Sequence, residues 1–426
     1  MQLTARCKLL AAGMLLSFLG PPAIQSARAE DRSQFTTTWF QQLRRGPLGG
    51  LSVVHPRGDV SVSVSDRSSV ELGYSADIVS GATPALYSVD AVTTATTFDD
   101  VRHEGSVGLS FERSRSEVGV SAGASSESDY NSLVLTAAGN VDLNDRNTNI
   151  ALSYSRNFDQ SCDRDNRDRT PLEREALIGA HPCEKDYFFG ADVPGETVWR
   201  DIILDTTEAT LTQNLSPTTV LQLALYGQVI RGFQANPYRR VRVSGVDAQE
   251  NVPSVRARGA LVSRLNRYIE PTRGAVHFEA RGYSDTWGIN SGSFSMAYHQ
   301  RAGDNLVVRA RSRIYQQSAA SFFKDAYFYE TEGPAGAFFS GNREHAPLRS
   351  LLTGGKLSYV NEARHGESVW GLFDELRLDL KGDLLFFQEL PAGPVSENPF
   401  SVSDQFLSSD RVLDGFILQL GLQMAY

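Results

Sequence analysis

Three things are scarce in this sequence of 426 residues: long apolar runs, basic charge and cysteine. After residue 29, no apolar run approaches the roughly 20 residues that a membrane-spanning helix needs, and no helical period is sustained. The formal net charge of −9 argues against nucleic acid as a partner, because nucleic-acid binding needs a basic surface. The sequence therefore excludes a helical membrane protein and a nucleic-acid-binding protein.

The first residues have the pattern of a secretory signal peptide. Arg6 and Lys8 precede an apolar run over 9–19, and the small-x-small triplet at 27–29 is typical of a cleavage site. The alternative, an uncleaved anchor, would need an apolar run about twice as long. We therefore expect residues 1–29 to be a cleaved signal peptide and residues 30–426 to form a single domain.

Only three cysteines are present, and Cys7 lies in the predicted signal peptide. Cys162 and Cys183 remain, and an even number of cysteines in an oxidising compartment favours a disulfide. With His181 alone, these two cysteines would leave a zinc site one ligand short. We therefore predict a Cys162–Cys183 disulfide in the longest loop, at about 159–197.

What the sequence has in abundance is alternation of apolar and polar residues, the pattern of a strand with one apolar and one wet face. The alternation runs over 60–65, 70–78, 107–112, 118–122, 150–155, 221–228, 306–314 and 370–384. Two architectures contain such strands. A sandwich turns the apolar faces inward, and a membrane barrel turns them outward to lipid.

Strand length, charge and loop length favour the barrel. The predicted strands reach about ten residues, which is the length a tilted strand needs to cross a bilayer. We place sixteen strands, with tight turns after even-numbered strands, the last at 364–368, and longer segments after most odd-numbered ones. The sequence therefore predicts an all-β, antiparallel transmembrane β-barrel of about sixteen strands. Short periplasmic turns and long outer loops place it in the outer membrane of a Gram-negative bacterium.

The chain ends within its most hydrophobic strand, where apolar residues from Phe416 to Tyr426 occupy every second position. A closed barrel has no free edge, so we expect this last strand to pair with the first. The ending resembles the C-terminal signature of bacterial outer-membrane proteins. That resemblance implies recognition by the barrel-assembly machinery, with Phe416 and Tyr426 as part of the assembly signal.

Between residues 77 and 158 the chain carries the segments "SADIVSGATP", "VDAVTTATTFDDVRHEG", "SSESDYNSL" and "LNDRNTNIALSYS". These segments resemble a family of bacterial outer-membrane proteins catalogued as domain of unknown function 3570. The resemblance extends over most of the mature chain. It implies secretion and a β-barrel, and it implies no established activity and no functional residues.

The predicted lumen has two kinds of wall. Inward positions on the early strands are mostly small and polar, with acids that include Glu71 and Glu117. Inward positions on later strands carry six arginines: Arg256, Arg258, Arg264, Arg309, Arg311 and Arg313. Such a lining is typical of a channel for polar solutes. In the alternative, these charges pair with each other, or an outer loop enters the lumen, and the barrel is closed.

Two further clusters suggest chemistry. Asp99, Asp100 and Asp129 could gather at the outer mouth and hold a divalent cation, although turn residues of this kind also satisfy backbone groups. His277 and His299 are predicted to face each other across two strands in the lumen, close to a carboxylate at Glu279. No serine or cysteine nucleophile stands out beside them, so we do not predict an enzyme.

We therefore expect a channel or transporter for small polar solutes, with the arginines favouring anions. The alternative is a non-conducting barrel whose outer loops bind a ligand or partner or brace the envelope, and a lumen hydrolase comes third. The expected partners are outer-membrane lipid, the barrel-assembly machinery and a small polar solute, with no nucleic acid and no cofactor. The oligomeric state stays open, because an apolar band looks the same against lipid or a second chain.

Overall fold

The structure is a computed structural model. It describes residues 31–43, 51–82, 97–177, 183, 197–243, 246–324, 327, 338–362, 369, 372–390, 392 and 412–426. The predicted signal peptide lies outside these residues.

The alternating segments form sixteen long antiparallel strands. These are β1 (Arg32–Gln42), β2 (Ser52–Ser65), β3 (Ser68–Ala82), β4 (Thr97–Arg113), β5 (Ser116–Ser126), β6 (Tyr130–Leu143), β7 (Thr148–Arg164), β8 (Thr197–Ser216), β9 (Thr219–Gly232), β12 (Val255–Ile269), β13 (Gly274–Asp285), β14 (Asn290–Ala302), β15 (Leu306–Gln317), β16 (Leu348–Glu362), β17 (Glu375–Glu389) and β18 (Val412–Ala425). A separate hairpin consists of β10 (Arg240–Val243) and β11 (Val246–Gln249). Three single-turn 3-10 helices lie at Pro171–Glu173, Glu270–Thr272 and Arg343–His345. Among the described residues, no helix is long and apolar enough to cross a bilayer.

The sixteen strands close into one barrel in sequence order, and β18 pairs with β1. The closing register places Arg32 opposite Ala425 and Trp39 opposite Leu418. Each strand of the barrel is therefore paired on both sides. Inside a bilayer there is no water to bond to backbone groups, so they must be paired in this way. The predicted fold class, the strand number and the pairing of the last strand with the first are confirmed.

The outer surface of the barrel is apolar and the inner surface is polar. Leu72, Leu152, Leu225 and Leu420 each expose more than half of their surface on the outside. Alternate residues on the same strands, among them Glu71, Ser153 and Gln419, point to the inside. This inverted arrangement is stable only where lipid covers the outside.

Tight turns join the strands at one end of the barrel. Several of them use left-handed backbone conformations, as at Ser114, Asn144 and Gly303, with φ of 31°, 49° and 73°. One predicted turn differs. The segment 364–368 lies outside the described residues, but β17 begins only at Glu375, and Leu372 lies in a turn and not on the strand.

The reason for this late start is a small apolar cluster at the same end. Val369 and Phe373 pair with each other and pack with Leu376, Met424 and Phe35. Val369 and Phe373, in the connection between β16 and β17, thus pack against the end of β18, whereas the alternation in the sequence predicted that the strand began earlier.

At the other end, the described parts of three long connections pack together into a cap. They run from β7 to β8, from β9 to β12 and from β15 to β16, and the β10–β11 hairpin belongs to the second. One apolar cluster joins Val252, Phe322 and Ala346 with Trp287 of the short β13–β14 turn. Another joins Leu172, Val241, Tyr327 and Phe339. Backbone hydrogen bonds also join the connections, as between Asn251 and Phe339. The cap therefore has its own packed core.

Candidate functional site

The arginines of β15 line the lumen because the sequence "RARSR" alternates them with small residues. Arg309, Arg311 and Arg313 point inward, opposite Lys356, Gly354 and Leu352 of β16. On the other side they face His299, Ala297 and Ser295 of β14. The three guanidinium groups form a column along one strand, as the sequence predicts.

Arg311 is anchored by a buried carboxylate. Its Nε and Nη2 donate to the two oxygens of Asp383 at 2.7 and 2.5 Å, and the Asp383 side chain has no exposed surface. Lys381 Nζ lies 3.5 Å from the same carboxylate. A bidentate pair of this kind fixes the guanidinium plane, so Arg311 is held against the wall.

Arg309 and Arg313 are not neutralised in this way. The Nε of each is buried and has no hydrogen-bond partner among the described residues. Arg313 Nη2 reaches only the Ser293 hydroxyl, at 3.4 Å. Arg258, on β12, has the same unsatisfied Nε. A desolvated guanidinium N–H without an acceptor is costly, and an anion would satisfy it.

The surroundings of this column are basic. Lys356 and Arg377 share one carboxylate, Asp379, at 2.8 and 3.2 Å. The wall formed by the middle of β15, β16 and β17 thus holds six basic side chains against two carboxylates. These are Arg309, Arg311, Arg313, Lys356, Arg377 and Lys381 against Asp379 and Asp383. We call this group the cationic wall; its formal charge is positive.

The other two predicted arginines have carboxylate partners. Arg256 donates to Asp285 at 2.9 and 2.5 Å and stacks on Trp287, with its guanidinium carbon 4.2 Å from the ring centre. Arg264 donates to Glu279 at 2.7 Å and to Gln222. Both pairs brace neighbouring strands, so these arginines are less available to a solute than Arg309 and Arg313.

Glu71 and Glu117 lie on the opposite side of the lumen. With Glu208 of β8 they line a recess of about 390 Å³ whose floor consists of small residues such as Gly108 and Ser121. Asn140 donates to Glu117 at 3.1 Å. In the ring of sixteen strands, β6 lies eight strands from β16, so this acidic recess faces the cationic wall. Glu208 was not predicted, because the residues at 206–210 show no alternation of apolar and polar side chains.

The predicted histidine site is only partly assembled. The rings of His277 and His299 lie 4.5 Å apart, but they are diagonal neighbours, since His277 is opposite Ala297. His277 Nδ1 lies 2.6 Å from the Asn266 amide oxygen. The Glu279 carboxylate, which acid–base chemistry would need, is bound to Arg264. The expected arrangement of two imidazoles and a free carboxylate is therefore absent from the described lumen.

The remaining predicted residues lie at the outer end. Cys162 and Cys183 form a disulfide, with Cα atoms 6.0 Å apart, and both are buried beside Leu177. The backbone of β4 places Asp99 opposite Ser80, but the side chains of Asp99 and Asp100 lie outside those described. Within the described part of the chain, no group of three or more metal-ligating side chains occurs.

A buried polar network in the cap has no counterpart in the sequence predictions. The Ser340 hydroxyl donates to Glu250 at 2.6 Å and lies 2.7 Å from His345 Nδ1. Burial raises the pKa of Glu250 and lowers that of His345 to about 3. Ser340 stands between the other two and has no exposed surface, so the order of contacts differs from a hydrolytic triad, in which histidine is central. These residues lie in irregular loops, where no periodic pattern marks them.

Comparisons with known proteins concern family and fold. The model of a family described as "Protein of unknown function (DUF3570)" matches residues 11–343. No curated protein matches the sequence. A solved structure described as a bacterial polysaccharide outer membrane secretin is 7% identical, with a TM-score of 0.48, and the match covers 94% of this chain and 100% of that one.

Two solved structures of proteins from Pseudomonas aeruginosa also match. OccK11 (OpdR) is 10% identical, with a TM-score of 0.38 and coverage of 93% of this chain and 96% of that one. OccK2 (OpdF), solved in complex with glucuronate, is 9% identical, with a TM-score of 0.39 and coverage of 93% and 98%. Identities this low do not indicate a shared substrate.

Proposed function

The chain belongs to the DUF3570 family, and we propose that it is an outer-membrane channel or transporter of a Gram-negative bacterium for small polar solutes, with a preference for anions. The family description names no activity, so the proposal comes from the lumen of this chain. Its outer surface would contact membrane lipid, and Phe416 to Tyr426 would be read by the barrel-assembly machinery.

One observation carries the proposal: the cationic wall contains guanidinium groups that no described carboxylate neutralises. Arg309 and Arg313 each keep a buried Nε without an acceptor. A diffusing anion would find charge-assisted donors there, and a basic lining raises the local concentration of anions. Arg311, which lies between them, is neutralised by Asp383 and is not counted among these groups.

The acidic recess supports a polar solute over an apolar one. Its small residues leave room beside Glu71, Glu117 and Glu208, and the cationic wall lies across the lumen. Opposed charges of this kind orient a solute that has its own dipole or hydroxyl groups. His277 and His299 are assigned to the polar lining, and we propose no catalytic role for them.

The test is the conductance of the purified, refolded chain without residues 1–29 in planar bilayers under a salt gradient. We expect steady channels whose reversal potential shows anion selectivity. The R309E/R313E variant should shift the reversal potential toward cations, because two positive charges in the lumen become negative. The control is R267E, which reverses one arginine charge on the outer face of β12, away from the lumen. An unchanged reversal potential in the double variant would contradict the proposed role of the cationic wall.

A second candidate function is a non-conducting barrel whose cap binds a ligand or partner. It is favoured by the packed cores that join the three outer connections through residues such as Phe322 and Phe339. Silent bilayers with a correctly folded barrel would favour this function over the channel.

A further inference from the structure

Two arginines lie on the outside of the barrel, where the alternation elsewhere places apolar residues. Arg156 of β7 and Arg231 of β9 share the outward face with Leu152, Leu225 and Phe158. Their side chains expose 45% and 56% of their surface. Charged residues on the lipid face are destabilising unless something at that depth compensates them.

A single carboxylate holds both arginines. Arg156 Nε and Nη2 donate to the two oxygens of Asp205 at 2.8 and 3.0 Å, and Arg231 Nη1 donates to it at 3.1 Å. The Tyr154 hydroxyl donates to the same group at 2.6 Å. With four donors on one carboxylate, the acceptor capacity of Asp205 is filled and the two guanidinium planes are oriented.

The cluster keeps one positive charge that no described residue neutralises. Two guanidinium groups share one carboxylate, and Arg156 Nη1 together with Arg231 Nε and Nη2 have no acceptor among the described residues. These N–H groups are arranged around a fixed centre and form the donor set that a phosphate or carboxylate prefers.

The cluster lies at the outer boundary of the apolar band. Asp205 is eleven residues from Ser216, where β8 ends at the periplasmic turn. At about 3.3 Å per residue and a strand tilt of about 40°, this distance is about 28 Å, whereas the apolar band of such barrels is about 25 Å tall. The exposed Phe158 and Tyr154 flank the site, as aromatic residues do at a membrane interface.

We infer that Arg156 and Arg231, positioned by Asp205, bind the phosphate of a lipid headgroup in the outer leaflet. The residues around the cluster favour a lipid over a free anion as the ligand. Leu135, Phe158 and Ile203 surround it on the outward face and are exposed, so acyl chains can cover them while the phosphate meets the guanidinium groups. The inference uses the bilayer position proposed above but not conduction, so a silent channel leaves it standing.

The experiment measures binding of diphosphoryl lipid A to the refolded barrel in uncharged detergent micelles, by native mass spectrometry and by the rise in Tm. The matched probes are the same lipid without phosphates, and inorganic phosphate. The variants are R231Q, R156Q/R231Q and the control R267Q, an exposed outward arginine at the periplasmic end of β12. R231Q changes a residue next to the end of β9 and keeps the Arg156–Asp205 pair, so it preserves the fold.

We expect diphosphoryl lipid A to bind the unaltered chain and R267Q equally. Its affinity should fall about tenfold in R231Q and about a hundredfold in R156Q/R231Q, since each lost charge-assisted pair corresponds to about one decade. The lipid without phosphates should bind weakly to every variant. Equal affinity in the unaltered chain and R156Q/R231Q would overturn the inference, and so would a Tm rise of the same size with inorganic phosphate.

Discussion

Arginine side chains meet three different environments in this barrel, and each environment sets what the residue can do. Arg311 is neutralised by a buried carboxylate and stiffens the wall. Arg309 keeps an unsatisfied donor in the lumen, on the route of the proposed solute. Arg156 shares a carboxylate on the outer face, where lipid lies. The same side chain therefore serves structure, proposed transport and proposed lipid binding, according to the partner that the fold supplies.

At the residue scale, the Arg311–Asp383 pair should contribute strongly to stability. The D383A variant leaves Arg311 and Lys381 without their carboxylate inside the cationic wall, and we expect a loss of about 2–3 kcal/mol in the free energy of unfolding. Urea unfolding in micelles, followed by tryptophan fluorescence, measures the loss. E117Q, which removes a carboxylate from the roomy acidic recess, is the control and should stay within about 0.5 kcal/mol of the unaltered chain. If D383A and E117Q unfolded at the same urea concentration, the Arg311–Asp383 pair would not be needed for stability.

At the scale of elements, the cap is a packed unit formed by the described parts of the outer connections. Its connections carry apolar residues that pack against each other, because nothing in a loop above the membrane can be buried in lipid. The Cys162–Cys183 disulfide ties the first connection to the top of β7. Glu250, Ser340 and His345 then join the second connection to the third through buried hydrogen bonds.

The cap should weaken as the pH falls, because of His345. Burial lowers the pKa of His345 to about 3, with Arg256 and Arg239 adding to the shift and Asp285 opposing it. Below pH 6.5, His345 therefore stays neutral in the folded cap but takes up a proton when the cap opens. Its contribution to the stability of the cap is complete above pH 6.5 and is lost as the pH falls toward 3. The steepest loss is about 1.4 kcal/mol per pH unit.

Glu250 acts with the opposite sign. Burial raises its pKa above the ordinary 4.5, so its contribution is complete below pH 4.5 and is lost as the pH rises through the raised value. Hydrogen exchange at pH 7 and pH 5 measures how readily the cap opens. A comparison of the unaltered chain with H345N separates the effect of His345 from that of Glu250, because the asparagine offers an amide near the Nδ1 position but does not titrate. Because Glu250 contributes to both proteins, we expect the ratio of the opening rate at pH 5 to that at pH 7 to be larger in the unaltered chain than in H345N. The same ratio in both proteins would show that a group other than His345 causes the change in opening rate.

At the scale of the whole molecule, closure of the barrel depends on the pairing of β18 with β1. β18 pairs with β1 along its length, and the terminal Tyr426 lies 3.1 Å from the Ser33 hydroxyl and 5.3 Å, centre to centre, from the Phe373 ring. Tyr426 still exposes half of its surface. An exposed aromatic at the very end is suited to recognition during assembly as well as to packing afterwards.

These two roles can be separated by experiment. We expect Y426A to reduce the amount of assembled barrel in cells several-fold while leaving refolding into detergent intact. The reason is that the barrel-assembly machinery, which would recognise Tyr426, acts only in the cell. F373A removes the ring that packs on Tyr426 but keeps the terminus, so it should assemble as the unaltered chain does. Heat-dependent gel mobility distinguishes folded from unfolded barrel. Equal assembly of Y426A and F373A would contradict the proposed assembly signal.

The sequence alone determined the barrel, because period-two alternation and the contrast of short and long connections are local features that survive without any tertiary contact. Sixteen strands, the inward arginines and glutamates, and pairing of the last strand with the first all followed from it. The point at which β17 begins did not, since Leu372 fits the alternation but lies in a turn, next to Phe373, which packs in a cluster with Met424.

Only the tertiary structure decided which charges are neutralised and what the loops build. Alternation along the strand places Arg309 and Arg311 on the same face. Only the alignment of β15, β16 and β17 shows that Asp383 pairs with Arg311 and not with Arg309. The Glu250–Ser340–His345 network joins residues up to 95 positions apart, and the cluster of Arg156, Asp205 and Arg231 joins three strands. A side chain's partner depends on contacts between distant segments, and those contacts form only when the ring of strands is closed.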